Sequence, residues 1–172
     1  MACRMSLPQK IIAALGALAI GSFALALGMP VRAAPEARFA TLQGESLATS
    51  DLRGTVSVIT FWSTSCGVCV AEMPAMAREY RALRARGYEM IAVAVKRDRA
   101  DEVAAFAAAH ALPFKVALDR DGEIARRFGN VHVTPTTFVL DRRGRVLRRF
   151  VGEPDWDLFR ALVERALQAP AQ

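Results

Sequence analysis

One run, Thr60 to Pro74, limits what this chain can fold into. Val56 to Phe61 leads into it as an apolar stretch rich in β-branched residues, the pattern of a buried strand. From about Gly67 the pattern turns helical. Cys66 and Cys69 therefore stand where a strand hands over to a helix N-terminus. Unpaired backbone N–H groups and the helix dipole favour negative charge at such a place. A thiol there has its thiolate stabilised and its pKa lowered. Cys69 follows about one helical turn later, close enough to close a small disulfide with Cys66.

A C-x-x-C pair in this setting reads as a redox couple. Half of a zinc site is a second reading. It needs two further ligands, and the sequence has no second C-x-x-C and no His pair. A purely structural disulfide is a third, but a bridge this short closes the kind of loop that gains least from cross-linking. The chain has three cysteines. Cys3 lies in the N-terminal leader, so the mature domain carries only Cys66 and Cys69, as suits an oxidising compartment.

The leader is Met1 to about Ala33. Arg4 and Lys10 precede an apolar core from Ile11 to Leu27, Gly28 and Pro30 break it, and Val31-Arg32-Ala33 is a tolerable cleavage site. This is the composition of a secretory signal peptide over residues 1–33. An uncleaved anchor is the alternative, since the apolar core is at the short limit for spanning a bilayer. Either way residues 34–172 are expected outside the cytoplasm. The formal charge of +6 does not indicate nucleic acid. Without the leader, 20 basic face 17 acidic residues, an ordinary surface. Arginines 142, 143, 145, 148 and 149 cluster on an expected hairpin, where alternation puts some on a solvated face. A docking patch for an acidic partner is the other reading.

Phe61-Trp62, the C-x-x-C pair and Glu72-Met73-Pro74 resemble the active-site segment of thioredoxin-like proteins, especially the periplasmic TlpA/ResA-type thiol–disulfide oxidoreductases. The likeness continues at Thr134-Pro135-Thr136-Thr137-Phe138-Val139-Leu140-Asp141-Arg142-Arg143-Gly144, similar to the family's cis-proline, strand and turn. It covers the chain from about Phe39 onward. The resemblance implies an α/β thioredoxin-like fold, a central mixed β-sheet flanked by helices on both faces. It also implies that Pro135 is a cis-proline packed beside the cysteines. The Thr134 backbone would then pair with an extended substrate segment. Glu72 matches a glutamate thought to assist proton transfer, with a solvated helix glutamate as the alternative. Thioredoxin itself has a buried aspartate where this chain has Thr60, which favours Glu72 as the relay. Many members carry proline where this chain has Val68.

The element pattern agrees with that class. A short hairpin is expected around Gly44, then the strand from Val56, and a helix to about Arg86 stopped by Gly87 with Met73, Met76, Tyr80 and Leu83 inward. A strand from Tyr88 to Val95 follows, then a helix to His110, a strand from Phe114 to Leu118 and a short helix from Glu123 to Phe128. Strands over 136–140 and 145–151 form a terminal hairpin. Pro154 opens the last helix near its first turn. The early strands should be parallel and the hairpin antiparallel.

By position, Cys66 is the attacking nucleophile and Cys69 the buried resolving thiol. Trp62 is either an apolar docking surface beside them or core. The resulting expectation is a periplasmic thiol–disulfide oxidoreductase that reduces protein disulfides, such as those of apocytochrome c. A membrane thiol reductase would supply its electrons. No flavin, nicotinamide, metal or other cofactor, no nucleic acid and a monomeric state are expected. Two alternatives stay open. One is copper binding or delivery through Cys66, Cys69 and His132. The other is a thiol peroxidase acting through Cys66, against which the second cysteine argues.

Overall fold

The computed structural model describes residues 32–170. In chain order the elements are β1 (Arg38–Ala40), β2 (Ser46–Ala48), β3 (Val56–Trp62), α1 (Gly67–Leu83), β4 (Tyr88–Ala94), α2 (Ala100–Ala109), β5 (Lys115–Leu118), α3 (Glu123–Arg127), β6 (Thr136–Leu140), β7 (Val146–Val151) and α4 (Trp156–Gln168). Of the expected leader, residues 1–31 lie outside the described residues. Among those described, no helix is long and apolar enough to cross a membrane.

β3 is the axis of a five-stranded mixed sheet ordered β5-β4-β3-β6-β7. It runs parallel to β4 and antiparallel to β6, so both its edges are paired. β4 and β5 are parallel, and β6 and β7 antiparallel, as the alternation of strands and helices predicts. β1 and β2 form the small antiparallel hairpin expected around Gly44.

Every residue of β3 is buried, because its two faces feed two cores. Val56, Val58 and Trp62 pack with Met73, Met76 and Leu83 of α1, Val103 of α2 and Phe159 and Val163 of α4. Ile59 and Phe61 face the opposite way, toward Phe39, Ile124 and Phe128 of the hairpin and α3. Helices thus lie on both faces of the sheet. Each such side chain taken fully out of water contributes about 1.5–3 kcal/mol.

The chain turns out of the active-site helix at Gly87, whose φ of +83° lies in the left-handed region. A Cβ there would also come within 2.9 Å of the Arg142 guanidinium. Arg142 donates to the carbonyls of Gly54, Arg86 and Leu167, tying the β6–β7 turn to the ends of two helices. Arg145 pairs with Asp141, and Arg148 and Arg149 lie over the rings of Phe150 and Phe138. Structural contacts therefore occupy much of the arginine cluster. One boundary differs from expectation. Pro154 lies outside α4, and Asp155 is the N-cap, accepting from the backbone N–H groups of Asp157 and Leu158 at 3.1 and 3.0 Å. A carboxylate at the N-cap satisfies donors that proline cannot.

Candidate active site

β3 ends at the bottom of a short loop, Ser63 to Ser65, that delivers Cys66 to the start of α1. This loop is held by a residue that no sequence motif singles out. The Asp98 carboxylate accepts from the Ser63 hydroxyl at 2.6 Å and from the Thr64 backbone N–H at 2.9 Å. Ser63 is fully buried and its hydroxyl also contacts that of Ser65 at 2.9 Å. Hydrogen bonds to an ionised acceptor contribute about 1.5–3 kcal/mol each. Asp98 is a positioning residue for the loop that aims Cys66.

Cys66 is the N-cap of α1, and the Cys69 backbone N–H donates to its sulfur at 3.2 Å. The two cysteines are joined as a disulfide with Cα atoms 5.2 Å apart. Their environments differ in the expected sense. Cys66 is partly exposed, and Cys69 is buried in the core below it. Only Cys66 can be reached by a second protein. Once reduced, its thiolate would keep the N–H donor and the favourable helix end.

Across from Cys66 lies the segment Val133 to Pro135. The Thr134–Pro135 peptide bond is cis. The Thr134 carbonyl oxygen sits 3.5 Å from the Cys66 sulfur. The sulfur carries no hydrogen in the disulfide, and as a thiol it could donate to this oxygen. The Gly152 backbone N–H donates to the Pro135 carbonyl at 2.8 Å, which fixes the loop after β7 against the same segment.

Glu72 is only 4% exposed, so it is not a solvated helix glutamate. Three residues beyond Cys69, it shares the inward face of α1. Its Oε1 has no hydrogen-bond partner among the described residues. Burial first, and the negative charge of Glu153 second, push its pKa up to about 7 from 4.5. A carboxyl so tuned exchanges its proton near neutrality, where acid–base chemistry on a thiol is useful. At the thioredoxin aspartate position, the Thr60 hydroxyl is engaged with that of Thr137 at 2.9 Å.

Trp62 is fully buried, with its ring 5.1 Å from that of Phe106. It serves as core, because strand alternation turns it under α1 and α2 and leaves nothing for a partner to touch. The exposed apolar side chains by the site are others. Val68, between the cysteines, and Val133, before Thr134, are about half exposed. The sequence offered one usable cue, since a valine between two active-site cysteines at a helix start has few neighbours to bury it. His110 donates through Nδ1–H to the Phe106 carbonyl at 2.9 Å and stacks on that residue's ring, at the C-terminal end of α2. His132 does not join the cysteines. Among the described residues no three His, Cys, Asp or Glu side chains are grouped to hold a metal ion.

A mixed sheet of this order, with a C-x-x-C disulfide capping the helix after its central strand and a cis-proline opposite, defines the thioredoxin fold. Comparison with known proteins agrees. The chain belongs to the AhpC/TSA family of thioredoxin-like proteins, whose family model matches residues 30–149. The thiol-disulfide oxidoreductase ResA of Bacillus thuringiensis is 34% identical over 97 residues, which is 56% of this chain and 55% of that protein. The chain thus spans about half the length of the curated relatives it matches. Among solved structures, a candidate thiol:disulfide interchange protein DsbE from Chlorobium tepidum is 30% identical, with a TM-score of 0.72 over 79% of this chain and 96% of that one. A thiol:disulfide interchange protein of the thioredoxin family from the same organism is 25% identical, with a TM-score of 0.73 over 81% of this chain and 99% of that one.

Proposed function

We propose that the protein is an extracytoplasmic thiol–disulfide oxidoreductase that reduces disulfides in other proteins. The observation that carries this reading is the asymmetry of the disulfide. Cys66 is partly exposed at a helix N-terminus, and Cys69 is buried one turn on, above a carboxyl tuned to about 7.

In the reduced protein the Cys66 thiolate attacks one sulfur of a substrate disulfide. The substrate S–S bond breaks, a Cys66–substrate disulfide forms, and the departing thiolate takes up a proton. Cys69 then gives its proton to the Glu72 carboxylate and attacks the Cys66 sulfur. The Cys66–Cys69 bond closes and the second substrate thiolate leaves with the proton held by Glu72, while the first has taken from water the proton that Cys66 released on ionising. Two electrons pass to the substrate, one disulfide is exchanged for another, and protons balance. The Thr134 backbone, whose carbonyl lies 3.5 Å from the Cys66 sulfur, would pair with the substrate strand, and the exposed Val68 and Val133 would give it apolar contact.

The substrates would be exported proteins such as apocytochrome c, and a membrane thiol reductase would restore the dithiol. The names of the relatives support the reaction class, and the leader composition supports the compartment. The test is reduction of insulin disulfides by the full chain, recycled by dithiothreitol. Catalysis above the dithiothreitol background is expected. Absence of catalysis together with stoichiometric Cu(I) binding that is lost in His132→Ala would replace this reading with copper delivery.

A further inference from the structure

A cleft of about 520 Å³ opens between the loop after β4 and the segment from Asp119 to His132. Its floor is made by the buried Gly122 and Val131, and its rim by the exposed side chains of Lys96, Arg97, Arg126 and His132. The acid in its lining, Asp119, is buried, and its two oxygens accept from the backbone N–H groups of Ile124 and Ala125 at 3.0 Å each. Arg126 is paired with Glu123. Among the described residues no carboxylate lies within ion-pair distance of Lys96, Arg97 or His132.

The cleft is joined to the reacting sulfur through one residue. An Arg97 Nη donates to the Thr134 hydroxyl at 3.2 Å, and the Thr134 carbonyl lies 3.5 Å from the Cys66 sulfur. The next residue, Asp98, holds the loop before Cys66. A peptide strand laid along Thr134 would therefore carry its neighbouring side chains into a concavity of unpaired positive charge.

We infer that this cleft receives acidic side chains next to the reacting cysteine of the substrate, so that Lys96 and Arg97 select acidic peptide disulfides. This inference rests on the oxidoreductase reading and adds to it the class of substrate. Charge at such a rim acts mainly on the association rate, and is screened by salt.

The test uses the reduced full chain and two synthetic disulfide-linked peptides that differ only by Asp or Asn on both sides of the cysteine. Rates of disulfide exchange are followed by acid quench and alkylation at low ionic strength. The Asp peptide is expected to react about tenfold faster than the Asn peptide, within the range of electrostatic steering. The ratio should fall toward one at 1 M salt and in Lys96→Gln/Arg97→Gln, and should invert in Lys96→Glu/Arg97→Glu. Because it is a ratio of two substrates on one protein, any general loss of activity in a variant cancels. Equal rates for the two peptides, or a ratio that survives charge reversal, would overturn the inference and leave the exchange chemistry standing. Failure of both peptides to react would overturn it together with the oxidoreductase reading.

Discussion

Cys66→Ser is expected to abolish disulfide reduction, a loss of about four orders of magnitude or more, as when a nucleophile is removed from its site. Cys69→Ser should also stop turnover, but with a different signature. Its Cys66 can still attack, so the Cys66–substrate disulfide accumulates and can be isolated under non-reducing conditions. The distinction follows from burial. The Cys66 sulfur is reachable, accepts the Cys69 N–H at 3.2 Å and faces the Thr134 carbonyl, whereas Cys69 is enclosed by the core. Trapping of substrate by Cys66→Ser, with none by Cys69→Ser, would reverse the assigned roles.

Glu72→Gln should separate stability from catalysis. The carboxyl holds its proton up to about pH 7 when folded, against 4.5 for an ordinary glutamate. Below about pH 4.5 it is protonated in both folded and unfolded states, and its burial carries no ionic cost. Between there and about pH 7 the unfolded chain ionises while the native protein does not, so native stability falls as pH rises. Above about pH 7 the loss is complete, roughly 3 kcal/mol by the size of the shift. Glu72→Gln removes this dependence. In urea unfolding it should be more stable than the parent at pH 8, by roughly 1–3 kcal/mol, and nearly equal to it at pH 5.

Catalysis should move the other way. The step in which Cys69 releases the substrate needs a base, and in the parent its rate should rise through about pH 7 as Glu72 ionises. Without the carboxylate the step should slow by about 10²-fold at neutral pH, and its rise should shift toward the thiol's own titration. A variant that is neither stabilised at pH 8 nor slowed at pH 7 would show that Glu72 is neither buried as a charge nor engaged with Cys69.

Much of the fold was legible because its punctuation is local. Gly44, Gly87, Gly122 and Gly129 take positive φ where the chain turns, and the apolar runs at Val56 and Tyr88 read as strands without tertiary information. The cysteines and the expected cis-proline were legible because two short motifs carry them. What escaped depends on contacts between distant segments. Asp98 is 35 residues from Ser63, and no periodicity links a carboxylate in one loop to a hydroxyl in another. Trp62 adjoins the active-site loop in sequence, yet it is the packing of α2 over the end of β3, contributed by residues far along the chain, that covers its ring with Phe106. The burial of Glu72 requires the packed core around α1, and part of its shift comes from Glu153, far along the chain. At Pro154 the sequence rule for helix starts met a neighbouring aspartate that caps better.

The most direct test of the central claim is a redox titration of the Cys66–Cys69 pair in the full chain against defined thiol buffers. A single reversible two-electron transition near or below about −230 mV is predicted, the range of thioredoxin-like reductants. A transition near about −120 mV would make the protein a disulfide donor and contradict the direction assigned here. Absence of any reversible transition would contradict the redox assignment itself.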